Sequence, residues 1–133
     1  MNSFDGHIEN VESSGNLSII TVKLSNDTLI KAIVIDTLST PLQWGIGIKV
    51  KALFKETEVV LSGSEIPYIS IENIWRGSIS KMEMGELLSR LEIESVIGYV
   101  TALIPTKSIT NMGLKNNSHV HVMVKLNEVI LSK

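Results

Sequence analysis

From Ile19 to Leu24 the chain alternates, with Ile20, Val22 and Leu24 on one face. A period of two is the signature of a half-buried strand. Ser25-Asn26-Asp27-Thr28 follows as a turn. Leu29 to Ile35 is then nearly continuous apolar, which predicts a strand buried on both faces. Thr37 to Trp44 contains Pro41 and reads as a turn or one short helical piece. Gly45 and Gly47 punctuate it, and Ile48 to Phe54 resumes a strand. The same order returns later as Leu87 to Ile93, Val96 to Ile104, a connector from Thr106 to Gly113, and His119 to Val124.

This recurrence is a repeat. Val50-Lys51-Ala52-Leu53-Phe54-Lys55-Glu56-Thr57-Glu58-Val59-Val60-Leu61-Ser62 parallels Val120-His121-Val122-Met123-Val124-Lys125-Leu126-Asn127-Glu128-Val129-Ile130-Leu131-Ser132 at an offset of 70. Each reads as a strand, a Lys, a short turn and a second strand, a connector followed by a hairpin. Asn2, Gly6 and Ile8 match Asn73, Gly77 and Ile79 at 71, and Ile35, Thr37 and Ser39 match Ile104, Thr106 and Ser108 at 69. The repeats span 1–62 and 69–133, with residues 63–68 as a linker whose Gly63, Ser64 and Pro67 break regular pairing. A β unit of this size has a small core, so the two copies are expected to pack on each other or on other chains. Five short strands per copy with Gly-rich turns predict an all-β chain of two tandem small OB-like antiparallel β-barrels with short connecting turns.

Composition agrees. There are 18 Ile and 12 Val against 3 Ala, a balance that favours pleated over helical structure. The absence of Cys removes disulfides, thiolate metal sites and cysteine nucleophiles. The formal charge of -2 and only six Phe, Trp and Tyr residues count against an oligonucleotide-binding barrel, so no nucleic-acid partner is expected. No apolar run approaches the roughly 20 residues that cross a bilayer, and no signal peptide is read at the N-terminus, so a cytoplasmic location without membrane contact is expected. Nucleophile-elbow, phosphate-loop and zinc-protease motifs are all missing, and no enzymatic role is expected. His119 and His121 share a strand face, but a structural metal site needs about four ligands and no further partner is evident in the sequence. Trp44 and Trp75 are read as core or interface anchors.

The repeat resembles the Mop, or molbindin, family of molybdate-binding domains of the TOBE type. The best match is the connector and hairpin of each copy, such as Met112-Gly113-Leu114-Lys115 running to Val120 and on to Lys125 and Val129. The resemblance implies small OB-type barrels, trimers of two-barrel chains, and molybdate or tungstate as ligand with no organic cofactor. It also implies an anion site built from a Ser-Ala-Arg-Asn stretch, a Ser in the connector and a Lys opening the last turn. Copy two has Ser70-Ile71-Glu72-Asn73 for the first stretch, while copy one keeps only Asn2. The connector serines are Ser39 and Ser108, the lysines are Lys55 and Lys125, and Thr57 and Asn127 stand two places further on as extra donors.

These residue types suit a tetrahedral dianion without protons, whose oxygens need donors only. Hydroxyls and amides supply neutral donors, and Lys adds one compact charge. Glu72 departs from the pattern, standing where the family has Arg. At an effective dielectric of about 20, a unit-charge pair at 4 Å costs about 4 kcal/mol. Either Glu72 points away and pairs with Arg76 or a Lys, or the contact is lost, or the pocket takes a protonated oxyanion. The resemblance therefore implies a cytoplasmic oxyanion-binding protein for storage, buffering or sensing. The alternative is an oligomerisation or interaction module of the same fold that has lost anion binding.

Overall fold

The computed structural model describes residues 1–35, 44–65 and 68–133. The first repeat forms β1 (Asn2–Ser14), β2 (Leu17–Leu24), β3 (Leu29–Ile35), β4 (Lys49–Phe54) and β5 (Val60–Ser62), with a 3-10 turn at Glu56–Glu58. The second forms β6 (Asn73–Glu83), β7 (Leu88–Ser95), β8 (Gly98–Pro105), helix α1 (Thr106–Met112), β9 (His119–Val124), a 3-10 turn at Leu126–Glu128 and β10 (Ile130–Ser132). All pairing is antiparallel, in two five-stranded sheets ordered β10-β4-β1-β2-β3 and β5-β9-β6-β7-β8. The all-β class and the pair of small curled sheets agree with the sequence pattern.

The hairpin at the end of each repeat does not form. β10 leaves its own repeat and pairs with β4 of the first, while β5 pairs with β9 of the second. The intervening 3-10 turn carries the chain across, so each sheet is completed by the other repeat's last strand. The two copies do pack on each other, as their small cores required.

Not all strands are short. β1 runs for 13 residues and β6 for 11, each with a register shift at a matching place, between Ile8 and Asn10 and between Ile79 and Lys81. Such a bulge adds twist and bends the strand, which lets it serve both neighbours of a curled sheet. Gly6 and Gly77 lie just before these bulges, where a Cβ would come within 2.5 Å of the Lys23 carbonyl oxygen and 2.9 Å of Ile93 Cγ2 respectively. The sequence match between these glycines thus reflects close strand approach.

β3 also differs from expectation. Ile30 and Ala32 are buried, but Leu29 is 45% and Ile35 65% exposed. Only the face that carries Ile30 and Ala32 is fully buried, and the strand is the edge of its sheet. The core runs through both repeats without a break, from Ile8, Ile20, Val22 and Val50 to Ile79, Ile93, Val122 and Val124. Phe54 joins the halves, stacked on Phe4 at 5.9 Å and on Trp75 at 6.5 Å. Trp75 is buried and donates its indole N–H to the Leu29 carbonyl of the other repeat at 3.2 Å. Trp44 is half-buried, with the Lys133 ammonium 5.4 Å from its ring centre.

Candidate functional site: two corners at the strand exchange

The first residues of β1 and β6 each lock onto the opposite repeat. Asn2 donates from Nδ2 to the Thr101 carbonyl at 2.9 Å and accepts from the Thr101 N–H at 2.8 Å. Asn73 does the same with Lys31, 2.9 Å in both directions. A side-chain amide presents the same donor and acceptor as a peptide group, so each Asn satisfies one residue of an open sheet edge. Both are buried.

Register then defines two corners. Asn2 stands opposite Phe54, which places it beside Lys55 and the first 3-10 turn, and that turn packs on β8. Asn73 stands opposite Val124, beside Lys125 and the second turn, which packs on β3. Each turn therefore faces a strand of the other repeat rather than its own.

The predicted donors sort by these corners. Lys125 and Asn127 meet the Asn73 corner, with Ser70 just before β6; all three are exposed. Lys55 and Thr57 meet the Asn2 corner and are exposed. Neither Lys55 nor Lys125 has an ion-pair partner among the described residues, and the hydroxyls of Thr57, Ser70 and Ser108 make no hydrogen bond among them. Among the described residues the Asn127 amide reaches the neighbouring Glu128 carboxylate, at 3.4 Å. Ser108 is half-buried on α1, one element beyond β8, and α1 ends in a left-handed cap at Gly113. Ser39 lies outside the described residues, in the connector that follows β3.

Asn73 opens β6 and is held by the other repeat. Its oxygen and one amide hydrogen are engaged by Lys31, at 4% exposure, so it works chiefly as a clasp between repeats. Sequence reasoning missed Lys31 and Thr101, because a partner 42 or 99 residues away leaves no local signal. Glu72 pairs with a Lys, one of the partners its first reading offered. Its carboxylate lies 3.4 Å from Lys31 Nζ, a lysine across the repeat boundary. In the other corner Glu56 takes the equivalent ionic role, with Arg90 at 3.3 Å.

Two open clefts lie elsewhere, on the outer faces of the sheets. One of about 790 Å³ is lined by Asp5, His7, Lys23, Lys49 and Lys51, with Lys51 held by Asp5 at 2.8 Å. The other, of about 660 Å³, holds Arg76, Glu94, His119 and His121. His121 is buried, and its Nδ1 lies 3.0 Å from the Gly63 carbonyl. No group of three metal-ligating side chains occurs among the described residues, and none of their helices is long and apolar enough to cross a membrane.

Residues 69–131 match the family model of the TOBE domain. That segment of the chain is similar to the TOBE domain. The matched segment runs from just before β6 into β10, and β1 to β5 reproduce its strand order. The solved structure of ModG, described as a cytoplasmic molybdate-binding protein and crystallised with molybdate bound, superposes with a TM-score of 0.88. Identity is 22%, over 98% of this chain and 94% of that one. At that identity the likeness establishes that this chain and ModG share a fold. No curated protein matches the sequence.

Proposed function

We propose that this protein binds molybdate, or tungstate, at the strand-exchange corners, and stores, buffers or senses the oxyanion in the cytoplasm without catalysing a reaction. The observation that carries the reading is a lysine with no ionic partner among the described residues at each corner, Lys55 and Lys125, flanked by hydroxyl or amide donors. An unpaired ammonium beside directional donors is the chemistry that a proton-free dianion requires. The shared fold with a protein whose structure holds molybdate supports the same ligand here. Residues 1–62 and 69–133 act as two repeats of one binding unit. Assembly as a homotrimer, with further donors such as Ser39 and Ser108 closing each corner, completes the reading; no organic cofactor enters it.

Equilibrium dialysis against molybdate, tungstate, sulfate and phosphate, with assembly mass measured alongside, tests this. Saturable uptake of molybdate in preference to phosphate is the expected result. Lys125→Ala weakens it by about tenfold or more, the loss of one charge-assisted contact. A second reading draws on the engaged Asn73 amide and the carboxylate of Glu72. In it the protein is an interaction module of the same fold without an anion site, and dialysis then shows a stable assembly that takes up none of the four anions.

A further inference from the structure

The Asn73 corner contains a carboxylate that cannot donate a hydrogen bond to an oxyanion and repels it at any distance. Glu72 directly precedes Asn73 and follows Ser70 by two residues, so it belongs to the same strand entry as those donors. Lys31 approaches from the opposite repeat. Its backbone is fixed by the two Asn73 hydrogen bonds, and its ammonium lies 3.4 Å from the Glu72 carboxylate. At the Asn2 corner Thr101 takes the place of Lys31 and Met1 that of Glu72, and the charges beside Lys55 are Glu56 with the Met1 ammonium at 3.8 Å and Arg90 at 3.3 Å.

Building on the oxyanion reading above, we propose that Lys31 is a positioning residue, the counter-ion that cancels Glu72, and that this pair sets the anion affinity of the Asn73 corner independently of the other corner. The remaining charges at this corner are Lys125, which contacts the anion in that reading, and Glu128 in the second turn, which accepts from Asn127. With Lys31 and Glu72 both present their contribution is neutral. Loss of Lys31 leaves one uncompensated negative charge; loss of Glu72 leaves one positive charge. One unit charge near a dianion at a partly exposed corner shifts affinity by about tenfold, each ~1.4 kcal/mol being one power of ten.

The test is a charge cycle in the full chain. Molybdate affinity is measured calorimetrically for the wild type, Lys31→Ala, Glu72→Gln and the double variant. The single variants are expected to move in opposite directions, Lys31→Ala about tenfold weaker and Glu72→Gln about tenfold tighter. The double variant returns to within about threefold of the wild type, and both single shifts shrink as salt is raised. Thermal midpoints stay close together, because an exposed ion pair contributes little to stability. A structural role for the pair predicts something else, namely that both single variants weaken binding together with the thermal midpoint. That outcome overturns the proposal, as does a wild type that binds while neither variant changes affinity. A wild type that binds no molybdate brings down the oxyanion reading itself, and the proposal with it.

Discussion

The two strand-exchange corners share a backbone and differ in the side chains around it. Both use an Asn clasp, a lysine opening a 3-10 turn and a strand from the other repeat. At the first turn, Glu56 pairs with Arg90. The matching places at the second turn are Leu126 and Ile19, both apolar and half-buried. The aromatic content differs as well. Phe54 stacks between Phe4 and Trp75, while its counterpart in the second repeat is Val124. The elements kept in both copies are those that hold the sheets together. Charge and aromatic content vary, so the fold tolerates two corners of unequal electrostatics.

The largest difference is expected in the core. Phe54→Ala should cost about 3–5 kcal/mol, since it empties a fully buried site joining both repeats. Val124→Ala should cost about 2 kcal/mol, having less apolar surface to lose. Urea denaturation of both variants measures the gap, and equal losses would remove the special place of Phe54. Next come the clasps. Asn2→Ala and Asn73→Ala each leave two peptide groups of a sheet edge without partners, for an expected loss of about 1–3 kcal/mol. Hydrogen exchange should show Thr101 or Lys31 losing protection selectively, and unchanged protection would break the equivalence of the corners. The smallest effect belongs to Glu56→Gln. Arg90 is well exposed, so the pair should contribute no more than about 1 kcal/mol, with a salt dependence that Leu126→Gln lacks.

How much of this was readable in sequence depends on the range of each interaction. β2, β4 and β9 follow from local apolar alternation, and the duplication follows from residues held at a fixed offset. β1 is harder to see. Asp5, His7, Glu9 and Asn10 dilute its pattern, and the bulge shifts its phase midway. The strand exchange is invisible for a different reason. Leu61-Ser62 and Leu131-Ser132 are the same in both copies, so either strand suits either sheet and only the path of the 3-10 turn decides. At the corners, the lysines and hydroxyls were legible as residue types. The engagement of Asn73 and the pairing of Glu72 with Lys31 were not, because both depend on a residue from the other repeat.

The location of the anion is open to direct observation. Crystals grown with tungstate, measured at a tungsten absorption edge, give an anomalous difference map in which the metal is unmistakable. The account predicts peaks at the two corners, with oxyanion oxygens within hydrogen-bond reach of the Lys55 and Lys125 ammonium groups. Fully occupied peaks confined to the outer clefts, or a map without peaks in crystals of a folded protein at saturating tungstate, would contradict it.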